Sequence, residues 1–245
     1  MQYKDTIIKV SLFGASGRMG KEVANALQDE SDFQIRNLIE KKDHPSVGSI
    51  LFDVKISGTP FDLPLADTVF CDFTDNEAAV KNAALAAEME CPILISSTGF
   101  SREKLDYLHN LGEKIPVMIA PNLSRGVDLL YRLTELSAKA VGDDFEVEIM
   151  EAHHKWKMDA PSGTARELVR ILEKFGAYQK IPTHSLRMGD IVGEHRLIFG
   201  GEGETISIVH RAHSRRAFAK GAPAALRFLA KAIPGVYNFR QALGD

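Results

Sequence analysis

The sequence predicts an α/β protein of two domains: a parallel sheet with helices on both faces, then a smaller α+β domain with a mixed or antiparallel open sheet. Three observations predict it. Apolar, β-branched runs alternate with helical runs from Ile7 to Pro121, the signature of a parallel sheet buried on both sides. After residue 124 the strand-like runs alternate polar with apolar residues, the pattern of a sheet with one wet face. The 245 residues suffice for two modest cores, and 44% hydrophobic with 26% charged residues is ordinary for a globular chain.

The elements follow in order. IIKVSLFG (7–14) is a strand that turns on glycine, and RMGKEVANALQD (18–29) has helical spacing. FQIRNLIE (33–40) is a second strand, and a Pro- and Gly-rich middle follows without an assigned element. TVFCDFT (68–74) is a strand and NEAAVKNAALAAEME (76–90) an Ala-rich helix with Asn76 placed to cap it. CPILISS (91–97) is a strand, REKLDYLHNLG (102–112) a helix and IPVMIAP (115–121) a strand. Beyond the boundary come a helix, VDLLYRLTELSAKAVG (127–142), and a strand, FEVEIMEAHH (145–154). GTARELVRILEKFG (163–176) is an amphipathic helix that stops on Gly176. Residues 185–213 form strand-like runs joined by Gly-containing turns, expected as antiparallel hairpins. AFAKGAPAALRFLAKAI (217–233) closes the chain as a helix. The domains are therefore expected at 1–124 and 125–214, with 215–245 returning to the first.

Composition narrows the function. Thirty basic residues face 33 acidic ones, a net charge of −3, which argues against nucleic acid as the main partner. Cys71 and Cys91 lie in the apolar runs VFCDF and CPILI, the setting of reduced core thiols in a cytoplasmic protein. No apolar run approaches the ~18 residues of a membrane span. MQYKDTIIKV lacks the apolar region of a signal peptide. The expectation is a cytoplasmic protein with a small-molecule partner, and neither nucleic acid nor membrane.

The first strand ends in GASGRMG, Gly14 to Gly20. A strand, then glycines, then a helix is how a pyrophosphate is cradled, because backbone N–H groups and the helix N-terminus face the anion. The spacing is one residue longer than the common dinucleotide fingerprint, and an ordinary tight turn is the competing reading. The first domain is thus expected to be Rossmann-like and nucleotide-binding. Glu40 ends the second strand, near where an acidic residue grips the adenosine ribose. Lys41 and Lys42 follow and would attract a 2′-phosphate, so the site suits NADH, NADPH or both. SSTGF (96–100) and APNLS (120–124) end two later strands, where ligands of open α/β sheets bind; as plain turns they would carry no function.

The densest chemistry lies in EAHHKWKMDAPSGTA, Glu151 to Ala165. Histidine suits proton transfer near neutral pH. Neighbouring strand residues face opposite ways, so His153 and His154 are expected to differ in role unless the strand ends there. Lys157 can hold an anion or donate a proton, and Asp159 can fix the loop. Pro161-Ser162-Gly163-Thr164 opens a helix whose free N–H groups and Thr164 hydroxyl suit a carboxylate. A metal site on His153, His154 and Asp159 fits poorly, since adjacent histidines do not converge on one point; no metal is expected. A hairpin with surface histidines is the plainer alternative. HRAHSRRAFAK (210–220) is the most basic segment, either a solvated loop or a second carboxylate clamp. Two anion sites would fit a dicarboxylate substrate.

GASGRMG, CDFT, STGF, EAHHKWKMDAPSGTA, GDIVGEH and S-R-x-x-F-A-x-G-A (214–222) occur in this order, and together they resemble the 4-hydroxy-tetrahydrodipicolinate (dihydrodipicolinate) reductase family. The resemblance covers essentially the whole chain. It implies NAD(P)H-dependent reduction of a cyclic dicarboxylate imine in lysine and diaminopimelate biosynthesis, with hydride delivered to ring carbon 4. It implies pyrophosphate contacts at Gly14, Ala15, Ser16, Gly17, Arg18 and Met19, and ribose contacts at Glu40 with Lys41 beside a 2′-phosphate. Ser96, Ser97, Thr98, Ala120, Pro121, Asn122 and Leu123 would face the ribose and nicotinamide. His153 would carry the proton and Lys157 would be a second donor. His154, Gly163, Thr164 and Arg215 would bind substrate. A homotetramer joined through the second domain's sheet is also implied. Two positions depart from the family pattern: Ser96 stands where glycine is frequent, and Leu123 where an aromatic or methionine is common. Other dehydrogenases share the two-domain plan. A nucleotide-binding regulator would have no use for His153 with Lys157.

Overall fold

The computed structural model describes residues 7–175 and 180–244. The chain divides into two compact units. One ends at Leu123 and resumes at Phe218, and the other is Ser124–Ala217.

The first unit alternates strand and helix. β1 (Ile8–Phe13), α1 (Arg18–Gln28) and β2 (Phe33–Ile39) are followed by a short hairpin, β3 (Ile50–Leu51) and β4 (Val54–Ser57). This hairpin occupies the middle stretch where the sequence reading assigned nothing. β5 (Val69–Asp72), α2 (Asn76–Glu88), β6 (Ile93–Ile95), α3 (Arg102–Leu111) and β7 (Pro116–Ile119) complete the run. α2 is capped by Asp75 rather than Asn76: the Asp75 carboxylate accepts from Glu77 N and Ala78 N. Asn76 instead donates its amide to the Gly99 carbonyl at 2.7 Å.

The second unit holds α4 (Arg125–Val141), β8 (Glu146–His153), α5 (Gly163–Glu173), β9 (Thr183–Arg187), β10 (Gly193–Gly201) and β11 (Glu204–Ala212). The expected helix stop at Gly176 lies outside the described residues. The sheet order is β11-β10-β8-β9. β10 pairs antiparallel with both β8 and β11, as a hairpin reading expects, but β9 runs parallel to β8 at the far edge. β9 and β10 therefore form no hairpin, and the sheet is mixed. One face packs Val147, Ile149, Leu197 and Phe199 against Leu168 and Leu172 of α5 and Leu130 of α4.

α6 (Arg216–Ala219) spans the boundary between the units, and α7 (Ala222–Leu229), β12 (Gly235–Tyr237) and α8 (Phe239–Ala242) belong to the first. The single helix expected over 217–233 is broken at Lys220–Gly221. The Gly221 backbone lies so close to the Leu123 carbonyl that no Cβ fits, so the chain turns there before α7 starts. β12 then joins the large sheet beside β7, giving the order β12-β7-β6-β5-β1-β2-β4-β3. Strand order reverses at β1, which pairs parallel with β2 on one side and β5 on the other. A crevice outside the carboxyl ends of β1 and β5 is where this topology binds ligands. No helix of the described residues is long and apolar enough to cross a membrane.

Candidate active site

In the first unit the carboxyl end of β1 runs into a cradle of bare backbone. Gly14 has φ +75°, and a Cβ there would sit 2.8 Å from the Phe73 carbonyl oxygen. Gly17 caps α1 with no side-chain bond, so the first N–H groups of that helix stay open to an anion. Gly20 packs against the Gly14 carbonyl too closely for a side chain, holding α1 against the loop. Glu40 follows β2, and its Oε1 accepts from Ser16 N at 2.7 Å. The hydroxyls of Ser16 and Ser96 are buried without a hydrogen-bond partner among the described residues. A cleft of about 420 Å³ is lined by Gly14, Gly17, Glu40, Lys41, His44 and Thr74, within the size range of small-molecule sites. Bare backbone, open helix N–H groups, an acidic residue on the second strand and orphaned hydroxyls together fit a dinucleotide.

Asp72, at the end of β5, organises the far side. It is fully buried, and burial pushes its carboxyl above the usual range. Oδ1 accepts from Thr74 N at 2.9 Å and Thr74 Oγ1 at 2.7 Å, and Oδ2 from Asn82 Nδ2 at 2.6 Å. Ser97 Oγ donates to the Thr74 carbonyl at 3.0 Å, and Ser96 N to the Asp72 carbonyl at 3.0 Å. Thr98 is exposed, Arg18 is exposed and Met19 is half-buried against the core. Ala120 is buried, with its N–H on the Ile95 carbonyl, while Pro121 is exposed and Asn122 half-buried. Leu123 departs from expectation: its side chain is 2% exposed and belongs to the core with α7 and Phe239.

In the second unit the chemistry gathers at the end of β8. Glu151 and His153 are two apart on one strand and therefore share a face. His153 Nδ1 lies 2.5 Å from Glu151 Oε2, and Glu151 is fully buried. Arg187 at the end of β9 clamps that carboxylate with both arms, Nη1 to Oε2 at 2.9 Å and Nη2 to Oε1 at 2.7 Å. Ser162 N adds a longer bond to Oε1 at 3.3 Å. Burial alone would raise the Glu151 pKa, but the hydrogen bonds from Arg187, Ser185 and His153 outweigh it and hold the carboxyl at about 2. Burial pushes the His153 ring below its ordinary range against the pull of Glu151, so the ring rests neutral at neutral pH.

His195, opposite Glu151 on β10, stands edge-on to His153 with ring centroids 5.2 Å apart. Its Nε2 is 3.0 Å from Ser162 Oγ, the atom that caps α5 by accepting from Ala165 N. Burial holds the His195 pKa down to about 3. Thr164, in the first turn of α5, is buried and hydrogen-bonded to Tyr131. Gly163 opens the same turn. Lys157 pairs with Asp159 at 2.7 Å, and Arg187 Nη2 also reaches the Asp159 carbonyl at 2.6 Å, so one arginine fastens both the carboxylate and the loop. His154 lies past the strand end, its ring 5.8 Å from Trp156. Lys157 acts on the His153 ring by its charge, and Ser162 ties the start of α5, where Gly163 and Thr164 follow, to Glu151 and His195. Arg215 sits in the turn before α6 and takes no part in the Glu151 network.

Sequence reasoning missed Glu151, Arg187, His195 and Gly193, where a Cβ would sit 3.2 Å from His153 Nε2. Glu151 had a local signal in its spacing of two from His153, and Gly193 and His195 lie in the GDIVGEH motif without having been given a role.

Two family models cover this arrangement: "Dihydrodipicolinate reductase, N-terminus" matches residues 8–123 and "Dihydrodipicolinate reductase, C-terminus" residues 126–243. The chain belongs to the dihydrodipicolinate reductase family. That membership makes it an oxidoreductase of lysine and diaminopimelate biosynthesis whose first unit is a nucleotide-binding Rossmann domain. Among dihydrodipicolinate reductase relatives, the 4-hydroxy-tetrahydrodipicolinate reductase of Syntrophus aciditrophicus is 37% identical over 265 residues, covering 97% of this chain and 99% of the relative. That of Desulfotalea psychrophila is 37% identical over 263 residues, covering 96% and 98%. In fold, the chain resembles the dipicolinate-bound dihydrodipicolinate reductase of Paenisporosarcina sp. TG-14, with a TM-score of 0.75 at 24% identity, covering 95% and 97%.

Proposed function

We propose that the chain reduces 4-hydroxy-tetrahydrodipicolinate to tetrahydrodipicolinate with NADH or NADPH, and that His153 carries the proton. One observation supports this most: in a member of this family, a buried carboxylate grips Nδ1 of His153 beside the first turn of α5. Substrate, NAD(P)H and one proton give tetrahydrodipicolinate, NAD(P)⁺ and water. When bound, the nicotinamide supplies a hydride to ring carbon 4. The electron pair displaced along the ring needs a proton, and Nε2 of His153 delivers it. His153 is neutral at rest, so it takes up a proton from water before passing it on, and the Glu151 carboxylate favours that transient imidazolium.

Gly14 to Met19 hold the pyrophosphate in this reading, with Glu40 and Lys41 at the adenosine ribose. Ser96, Ser97, Thr98, Ala120, Pro121 and Asn122 serve the ribose and nicotinamide, and Leu123 contributes backbone alone. His154, Gly163, Thr164 and Arg215 hold the two carboxylates, with Lys157 as anchor and second donor. The outer sheet face, with Met150, Leu186, Ile198 and Val209, is the face we assign to a homotetramer. The test is NADH oxidation with substrate made fresh from pyruvate and aspartate semialdehyde by the preceding enzyme. Oxidation that requires this substrate is expected. Bound NADH that is never oxidised would sink the reading.

A further inference from the structure

We infer that Glu151 and Arg187 are positioning residues for proton transfer: Arg187 fixes the Glu151 carboxylate, and that carboxylate locks His153 as the Nδ1–H tautomer with Nε2 bare. The inference deepens the proposed function and rests on its assignment of His153. An ionised carboxylate can only accept hydrogen bonds. At 2.5 Å from Glu151 Oε2, Nδ1 must therefore be the nitrogen that bears hydrogen. The neutral ring then presents an Nε2 lone pair, the only form able to take a proton at that nitrogen and later release it. Gly193 of β10 stands against Nε2, and a side chain there would sit 3.2 Å from that atom, so the glycine leaves this approach to Nε2 open.

The clamp makes this arrangement hard to reverse. Glu151 Oε1 receives Arg187 Nη2 and Ser162 N, and Oε2 receives Arg187 Nη1 and His153 Nδ1. The Ser185 hydroxyl bonds the same carboxylate, and with two arginine nitrogens and a backbone N–H aimed at it the group is held ionised. The charged and titratable groups facing His153 are Glu151 on its own strand, His195 on β10, Arg187 on β9 and Lys157 in the following loop. Of these, Glu151 alone favours a proton on His153.

The same geometry predicts what Glu151→Gln does. Amide nitrogen at the Oε1 position would meet two obligatory donors, Arg187 Nη2 and the Ser162 N–H. At the Oε2 position it meets one, Arg187 Nη1, together with His153, which can change tautomer and accept; the Ser185 hydroxyl can turn to accept at either position and so does not alter the choice. The amide nitrogen therefore settles at Oε2, and His153 switches to the Nε2–H form. That ring cannot accept a proton at Nε2, although it remains in place.

The tautomer is read by ¹⁵N NMR of the histidine side chains, with His153 assigned by its loss in His153→Gln. In the native protein at neutral pH we expect Nδ1–H with unprotonated Nε2. In Glu151→Gln we expect Nε2–H, with kcat lowered ~10²–10⁴-fold, the range for losing a general acid or its correct tautomer, and NADH affinity retained. Arg187→Lys keeps a cation and should lose less kcat than Arg187→Met. A native Nε2–H tautomer overturns the inference even if a variant fails to fold. A folded Glu151→Gln enzyme with native kcat overturns it as well. Absence of reductase activity in the native enzyme would refute the proposed function instead, because the native tautomer is measured without substrate.

Discussion

The Glu40 carboxylate accepts the Ser16 amide through Oε1, and in the proposed function Oε2 takes a ribose hydroxyl. NADH offers a free 2′-hydroxyl there and NADPH does not. Glu40→Ala should therefore weaken NADH by about 1.5–3 kcal/mol more than NADPH, the worth of a hydrogen bond to a charged group. Loss of the Ser16 contact disturbs both nucleotides alike, so the ratio of the two dissociation constants is the readout. An unchanged ratio would contradict the ribose assignment. At this scale the sequence was legible where chemistry is local. The glycine turn, Glu40 and the HH-to-SGT block stand out as candidates by residue type and spacing. Arg187 and His195 do not, because only sheet register brings β9 and β10 beside Glu151. The burial of the Leu123 side chain was not legible, because position near a strand end does not tell which way a side chain points, and this one points into the core.

Across the second sheet, register aligns the buried Glu151 with the buried His195, and His195 with the half-buried His210, in one row. Burial keeps all three imidazoles around it, His153, His195 and His210, below their ordinary pKa. A depressed histidine is neutral in the fold and charged in the unfolded chain below 6.5, so its contribution to stability is lost on acidification. For His195 that window runs from 6.5 down to about 3, and for Glu151 a second loss runs from 4.5 to about 2. His195 alone should cost about 2 kcal/mol between pH 7 and pH 5, at 1.36 kcal/mol per unit. The urea midpoint of the second unit should fall over that interval, and His195→Asn should flatten the dependence. A midpoint independent of pH would refute the buried-neutral account. Among the elements, long periodic runs were legible, including β1, α1, α4 and α5. The β3–β4 hairpin, β12 and α8 were not, because strands of 2 to 4 residues and a 4-residue helix carry too little pattern. The break before α7 was also hidden, since it comes from the tertiary approach of Gly221 to Leu123 rather than from local propensity.

At the scale of the whole chain, the C-terminal segment returns to the unit that begins it. Arg227 of α7 bonds Asp32 with two nitrogens and Glu30 with one, each at 2.6 Å, and α7 packs its buried face into the core shared with α1. The second unit is thereby an insertion between two parts of the first, and the labour divides with it. In the proposed function the nucleotide cradle belongs to the first unit, and the proton-handling cluster belongs to the second. The central claim is that His153 moves the proton and takes no part in holding nucleotide. The most direct measurement is kcat and NADH affinity of His153→Gln, with a deuterated-NADH isotope effect to establish that chemistry limits turnover. The account predicts native NADH affinity and a kcat lowered ~10²–10⁴-fold. A His153→Gln enzyme with native kcat and a full isotope effect would contradict it, and would move the proton to Lys157 or a bound water.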